Sequence, residues 1–140
     1  MTTDRPRRSA EEQQQLEASF RELFERLIAF NQLVGMRVDS FDPSSPRLAF
    51  EMRPELVGHF LSGRLHGGVI ASVLDAVGGF ALMCAIGEKH RDEPALQVMQ
   101  RFAKIGTIDL RIDFLRPGNG KRFVASGQVS RLGGRIGSVQ

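Results

Sequence analysis

"RLHGGVIASVLDAVGGF", residues 64–80, holds features that an ordinary core helix does not need. Apolar residues cover the whole circumference from Gly68 onward. The pattern predicts a helix over roughly Gly68–Ile86 that is surrounded by the rest of the fold rather than laid on its surface. Yet the segment is entered through His66-Gly67-Gly68, and it carries one acid, Asp75, in its middle. Burying a carboxylate is costly unless it is hydrogen-bonded or paired. A helix start leaves backbone N–H groups without partners, and glycine lets another group come close to them.

The rest of the chain sets bounds on what this helix can serve. At 140 residues, one domain with a real hydrophobic core is expected, spanning 9–140 behind a flexible arm of residues 1–8. The net charge is +3, part of it from Arg5, Arg7 and Arg8. That balance favours anionic small molecules slightly and is too weak to indicate nucleic acid. Trp and Tyr are absent, so no basic and aromatic interleaving supports such binding either. A single cysteine, Cys84, excludes an internal disulfide framework, offers no metal spacing and reads as a core residue of a cytoplasmic protein. The N-terminus has no apolar signal region. Residues 69–86 approach the lower limit for a membrane span, but Asp75 and the Gly78-Gly79 pair count against stable insertion.

Outward from the central helix, periodicity assigns the remaining elements. Ser9 and Glu12 have the spacing of a capping box. Leu16, Phe20, Leu23, Phe24, Leu27 and Ile28 continue one apolar stripe to an end near Asn31. This helix is expected to cover the sheet or to cap a pocket. Two short strands come next, about Met36–Phe41 and Arg47–Met52, joined by the "DPSSP" turn at 42–46. "GEKHRDEP", 87–94, reads as a solvated loop. A short helix after it should place Leu96, Met99 and Ala103 on one side. "TIDLRIDFL", 107–115, alternates strictly, with Ile108, Leu110, Ile112 and Phe114 on one face, and predicts a half-buried strand. Another strand is expected over Phe123–Leu132, turning at Gly133-Gly134 into Arg135–Gln140. The order is an α+β one, an antiparallel sheet wrapped around one long apolar helix, as in the hot-dog fold. The last strand is still running at Gln140, so a further closing strand is expected, or else an exposed sheet edge.

"HGG" with an Asp nine positions after the His, together with "TIDLRIDFLRPG" at 107–118, resembles the hot-dog acyl-CoA thioesterases of the PaaI-like group. Within that group the two stretches are most similar to the YigI-type medium- and long-chain acyl-CoA thioesterases. The resemblance covers roughly residues 34–140. It implies hydrolysis of an acyl-CoA to a free acid and CoA, with no metal or redox cofactor. The Gly67 N–H would be the oxyanion donor, His66 would hold the turn and the carbonyl, and Asp75 would be general base or nucleophile with Thr107 assisting it. Gly68, His59, Arg116, Arg131 and Arg135 are implied as substrate contacts, the guanidinium fork suiting CoA phosphates. The wider group has an Asn six residues before the His. This chain has Phe60 there and His59 one position earlier.

Gly67 and Asp75 are eight residues apart on one helix, about 12 Å along its axis. They cannot both reach one thioester carbon. Two antiparallel copies of the helix would bring Asp75 of one chain beside Gly67 of the other, so a homodimer is expected, alone or as a tetramer of two dimers. Two other functions remain open at this point. One is an acyl-CoA or fatty-acid binding protein without catalysis, since hot-dog folds host both. The other is a hot-dog dehydratase or hydratase, against which the missing Asp-x-x-x-x-His spacing counts.

Overall fold

The computed structural model describes residues 6–140. Helix α1 (Ala10–Glu22) starts at Ser9, whose hydroxyl accepts the Glu12 N–H at 3.1 Å. The other half of the expected capping box is redirected, because the Glu12 carboxylate accepts from Ala95 N–H at 2.7 Å. A π-helical turn, Leu23–Leu27, continues the chain, with Ile28 N–H reaching the Leu23 carbonyl at 3.0 Å. One extra residue in a turn rotates the downstream helix by roughly 100°. This explains why Leu27, which belongs to the apolar stripe by spacing, is 67 % exposed. Helix α2 (Ala29–Val34) then runs three residues beyond the expected end and stops at Gly35, in the left-handed region at φ +76°.

Strands β1 (Arg37–Ser40) and β2 (Arg47–Glu51) match the expected pair. Asp42 shapes the turn between them by accepting from Ser44 N–H at 2.9 Å. A small antiparallel hairpin, β3 (Val57–His59) and β4 (Arg64–Leu65), leads into the long helix α3 (Gly67–Lys89). Gly87 is inside this helix, buried beneath Leu16, so the expected loop begins later than the sequence suggests. In α4 (Ala95–Gln100) and the turn after it, Ala95, Val98 and Phe102 are buried while Leu96 is 73 % exposed. This corrects the expected side, because the Glu12 cap fixes the rotation of the helix.

Strand β5 (Arg122–Ser126) pairs with β2, giving a three-stranded antiparallel sheet in the order β1-β2-β5. Strand β6 (Val129–Leu132) pairs with β7 (Gly137–Val139). The single strand expected over Phe123–Leu132 is therefore broken at Gly127. A Cβ on that residue would sit 2.9 Å from the Ala81 Cβ and 3.2 Å from the Val77 carbonyl, so the chain bends where its backbone touches α3.

Residues 107–115 are also corrected. Among the described residues they take part in no strand ladder. The segment lies along α3 in the opposite direction, with Thr107 beside Asp75 and Phe114 beside Gly67. The alternating pattern is real, but the face it was expected to bury is largely bare, with Ile108 81 % exposed and Phe114 60 %.

Helix α3 packs on β2, β5, β6 and β7, and Val73, Val77, Phe80, Ala81 and Cys84 are buried along it. Phe20, Phe24 and Phe41 meet Phe80 with ring centroids 5.1 to 6.2 Å apart, edge contacts worth about 0.5–1.5 kcal/mol each beyond burial. Val69, Ile70, Leu74 and Ala76 are only half-buried, so the chain surrounds α3 less completely than expected. By length and composition α3 could cross a membrane. Its C-terminus is closed by Arg8, which donates to the Gly87 and His90 carbonyls at 2.5 and 2.8 Å, where a cation also suits the helix dipole. Arg7 pairs with Glu88 at 2.8 Å, so this part of the arm expected to be flexible is tied down. Arg5 and the rest of residues 1–5 lie outside the described residues.

Cys84 is buried, and burial pushes its thiol up to about 12. At neutral pH the thiolate needed for alkylation is scarce. Iodoacetamide should label Cys84 only after denaturation, and rapid labelling of the native protein, detected by mass spectrometry, would contradict this packing.

Candidate active site

The start of α3 is built by three close approaches. His66 is the N-cap, with an extended backbone at φ −66°, ψ 134°, and its Nδ1 accepts the Gly68 N–H at 2.8 Å. The ring that caps in this way carries its proton on Nε2. A Cβ on Gly68 would fall 2.9 Å from that same Nδ1, so glycine is what lets the ring fold back. Gly58 of β3 supports the turn from outside, because a Cβ there would lie 2.4 Å from the His66 Cα. The Gly67 N–H is left without an acceptor among the described residues. Gly67 lines a cavity of about 320 Å³ together with Arg64, Ile70, Phe114, Arg116 and Pro117. No carboxylate lies within ion-pair distance of Arg64 or Arg116 among the described residues.

Two helical turns on, Asp75 occupies a different cavity. Its Oδ1 accepts from Thr107 Oγ1 at 2.5 Å. The space beside it, about 490 Å³, falls within the range of small-molecule sites. Leu23, Phe24 and Ile28 from the π turn form one wall, Ala76, Gly79 and Met83 of α3 another, and Phe102 and Ile105 close it. Polar side chains enter it at Asn31, Ser72, Asp75 and Thr107. Asn31 is 3 % exposed and donates from Nδ2 to the Phe24 carbonyl at 3.1 Å, fixing the π turn. Ser72 donates to the Gly68 carbonyl at 2.8 Å. Of the N-terminal helical segment, Phe20 packs in the core against Phe41, Phe80 and Phe102, and the turn after α1 walls this cavity. π turns are frequent at functional sites.

A hydrogen-bond donor at a helix start and a carboxylate beside an apolar cavity suit attack on a carboxylic acid derivative. Residues 62–140 match the thioesterase superfamily. The chain belongs to this superfamily. The medium/long-chain acyl-CoA thioesterase YigI of Escherichia coli K12 is 37 % identical over 115 residues, 82 % of this chain and 74 % of that protein. The protein of the same name in Salmonella typhimurium LT2 is 36 % identical over the same shares. A solved structure from Shewanella oneidensis, described as related to the thioesterase superfamily, superposes with a TM-score of 0.83 at 35 % identity, covering 93 % of this chain and 84 % of that one. A second solved structure, from Syntrophus aciditrophicus, gives a TM-score of 0.78 at 31 % identity over 93 % and 86 %. These matches bear out the hot-dog architecture.

Within this superfamily member, the expected site residues divide between the two cavities. Asp75 and Thr107 meet in one, and Gly67 and Arg116 line the other, with His66 and Gly68 forming the turn that presents Gly67. His59 is engaged with its own hairpin, its Nδ1 3.0 Å from Ser62 Oγ, and lines neither cavity. Arg131 and Arg135 are exposed on β6 and the turn after it, also away from both. Sequence reasoning missed Arg64, Phe114, Gly58, Ser72, Asn31 and Gly79. Of these, Arg64 and Ser72 carried a usable signal, lying two residues before His66 and three before Asp75.

The Gly58 contact makes a direct prediction. Gly58→Ala forces β3 away from His66 and should lower stability by about 1–3 kcal/mol, the usual cost of overpacking, seen as a lower urea midpoint. An unshifted midpoint would mean that the hairpin does not brace the start of the helix.

Proposed function

We propose that the protein is a cytoplasmic acyl-CoA thioesterase acting on medium- and long-chain substrates, with two active sites shared across a homodimer. The observation that carries the reading is the Thr107–Asp75 hydrogen bond at the side of an apolar cavity, in a member of the thioesterase superfamily. The substrate class is the one named for the YigI relatives.

In this reading the acyl chain enters the Asp75 cavity and Thr107 orients the carboxylate. Asp75 takes a proton from water as it attacks the thioester carbon, or attacks that carbon itself. The carbonyl oxygen gains negative charge and is held by Gly67 N–H of a second copy, where the positive end of the helix dipole adds to the donor. The C–S bond then breaks, and the CoA sulfur leaves as thiolate and takes up a proton. Where Asp75 is the nucleophile this leaves an acyl–aspartyl anhydride, which a water molecule then cleaves to release the acid and restore the carboxylate. The products are a free acid and CoA. Water and the residues of the two chains supply every proton and electron pair, so no cofactor is required. Arg116 lines the same cavity as Gly67 and Arg64, which supports a role for both arginines at the CoA phosphates. Arg131 and Arg135 would reach the nucleotide only from the second copy.

Three features support the shared site. Gly67 and Asp75 open on separate cavities. The half-buried side of α3 is available to a second helix. Residues 107–115 present exposed Ile108, Leu110, Phe114 and Leu115 beside it, a segment suited to pairing with another chain. A tetramer would be two such dimers.

Asp75→Asn keeps the shape and removes the base. Thiol release from acyl-CoA should fall in kcat about a hundredfold or more, with folding retained. Gly67→Pro removes the N–H while remaining compatible with the first helical position and with the extended His66 before it. Losing one oxyanion donor should cost about a hundred- to thousandfold in kcat. Near wild-type turnover in folded Asp75→Asn protein would remove Asp75 from the chemistry, whereas wild-type protein that binds acyl-CoA and releases no thiol would be a binding protein and not an enzyme.

A further inference from the structure

Gly79 interrupts a helix in which glycine is unfavourable by roughly 0.5–1 kcal/mol relative to alanine. Among the described residues, nothing beyond its own helical turn lies within 4 Å of where its Cβ would be, so no tight packing contact within the chain requires the missing side chain. Instead the position opens onto the Asp75 cavity. Ser72, Asp75, Ala76, Gly79 and Met83 fall on one face of α3 and line that cavity in order. Gly79 sits one turn beyond Asp75, and Met83 one turn beyond Gly79. The lined face from Asp75 to Met83 is about 12 Å long at 1.5 Å per residue. Across from it stand Phe24, Ile28 and Phe102, all apolar.

We propose that Gly79 is the specificity-determining residue for acyl length, the open point through which a chain anchored at Asp75 passes toward Met83. This rests on the thioesterase reading above. With a C–C bond of about 1.5 Å, an extended alkyl chain advances about 1.3 Å per carbon, so the lined face accommodates roughly nine carbons before Met83 is reached. A side chain at position 79 closes the passage one turn from the carboxylate, leaving room for short acyl groups alone. A side chain smaller than methionine at position 83 opens it further. The competing occupant is the α3 helix of a second copy packing on the same glycine.

The test is a panel of butanoyl-, hexanoyl-, decanoyl- and tetradecanoyl-CoA with the full-length chain as Gly79→Ala, Gly79→Val and Met83→Ala, alongside light scattering and circular dichroism. The readout is the ratio of kcat/KM for decanoyl-CoA to that for hexanoyl-CoA. The ratio should fall at least about tenfold in Gly79→Val, the scale of a group misfitted in a hydrophobic pocket. It should fall less in Gly79→Ala, and the optimum should move to longer chains in Met83→Ala. Parallel losses for all substrates, or loss of the dimer in Gly79→Ala, would overturn the assignment in favour of helix packing. Wild-type protein that releases no thiol from any substrate would instead overturn the thioesterase reading itself. Should Gly79→Val fail to fold, the ordering of wild type, Gly79→Ala and Met83→Ala decides the matter, and an unchanged ratio across these three rejects the proposal.

Discussion

A single rigid helix holds Gly67 and Asp75 two turns apart, and no side-chain motion brings a backbone N–H closer to a carboxylate on the same rod. The rest of the site is arranged around that separation. Residues 107–118 run back along α3, so one segment delivers Thr107 to the carboxylate and Phe114 to the glycine. The hairpin before the helix meets the capping histidine through a glycine that has no room for a side chain. In the proposed mechanism the helix also bears on the assembly. Chemistry that needs both groups at one carbon requires a second helix, and the side of α3 that the chain leaves half-covered is where it would lie.

Asp75 need not bear the full penalty of a buried charge. It is half-buried and accepts a hydroxyl hydrogen bond, so part of its solvation is replaced and part is retained. The cavity beside it is apolar for a different reason. Its outer wall is the π turn, where one added residue swings Leu27 to solvent while Leu23, Phe24 and Ile28 stay against the open space. Asn31 makes this arrangement durable, because its buried amide donates to a carbonyl of the turn. Cavity wall and core packing thus meet in one short, irregular piece of helix.

Much of this was legible from the residues. The round-the-clock apolarity of 69–86 marks the central helix, and His66-Gly67-Gly68 with Asp75 marks the two places where cavities meet it. Strands β1 and β2 emerge from alternation, and the Ser9 cap from its spacing to Glu12. The misses share a cause, since each depends on a neighbour distant in sequence. Glu12 caps α4 instead of its own helix and so selects Ala95, Val98 and Phe102, not Leu96, as the buried side. Gly127 breaks a strand because α3 is in the way. Residues 107–115 carry a strand pattern, but alternation reports only that a face can be buried, not which chain buries it.

The shared site is the central claim, and subunit mixing tests it most directly. Asp75→Asn and Gly67→Pro proteins, each nearly inactive, are unfolded together, refolded and assayed for thiol release. Random re-association makes half of the dimers hybrids, and each hybrid regains one intact site of two. Activity should therefore return to roughly a quarter of wild type. If both groups of one chain served the same site, every site in the mixture would remain broken, and activity no higher than that of the separate variants would contradict the account.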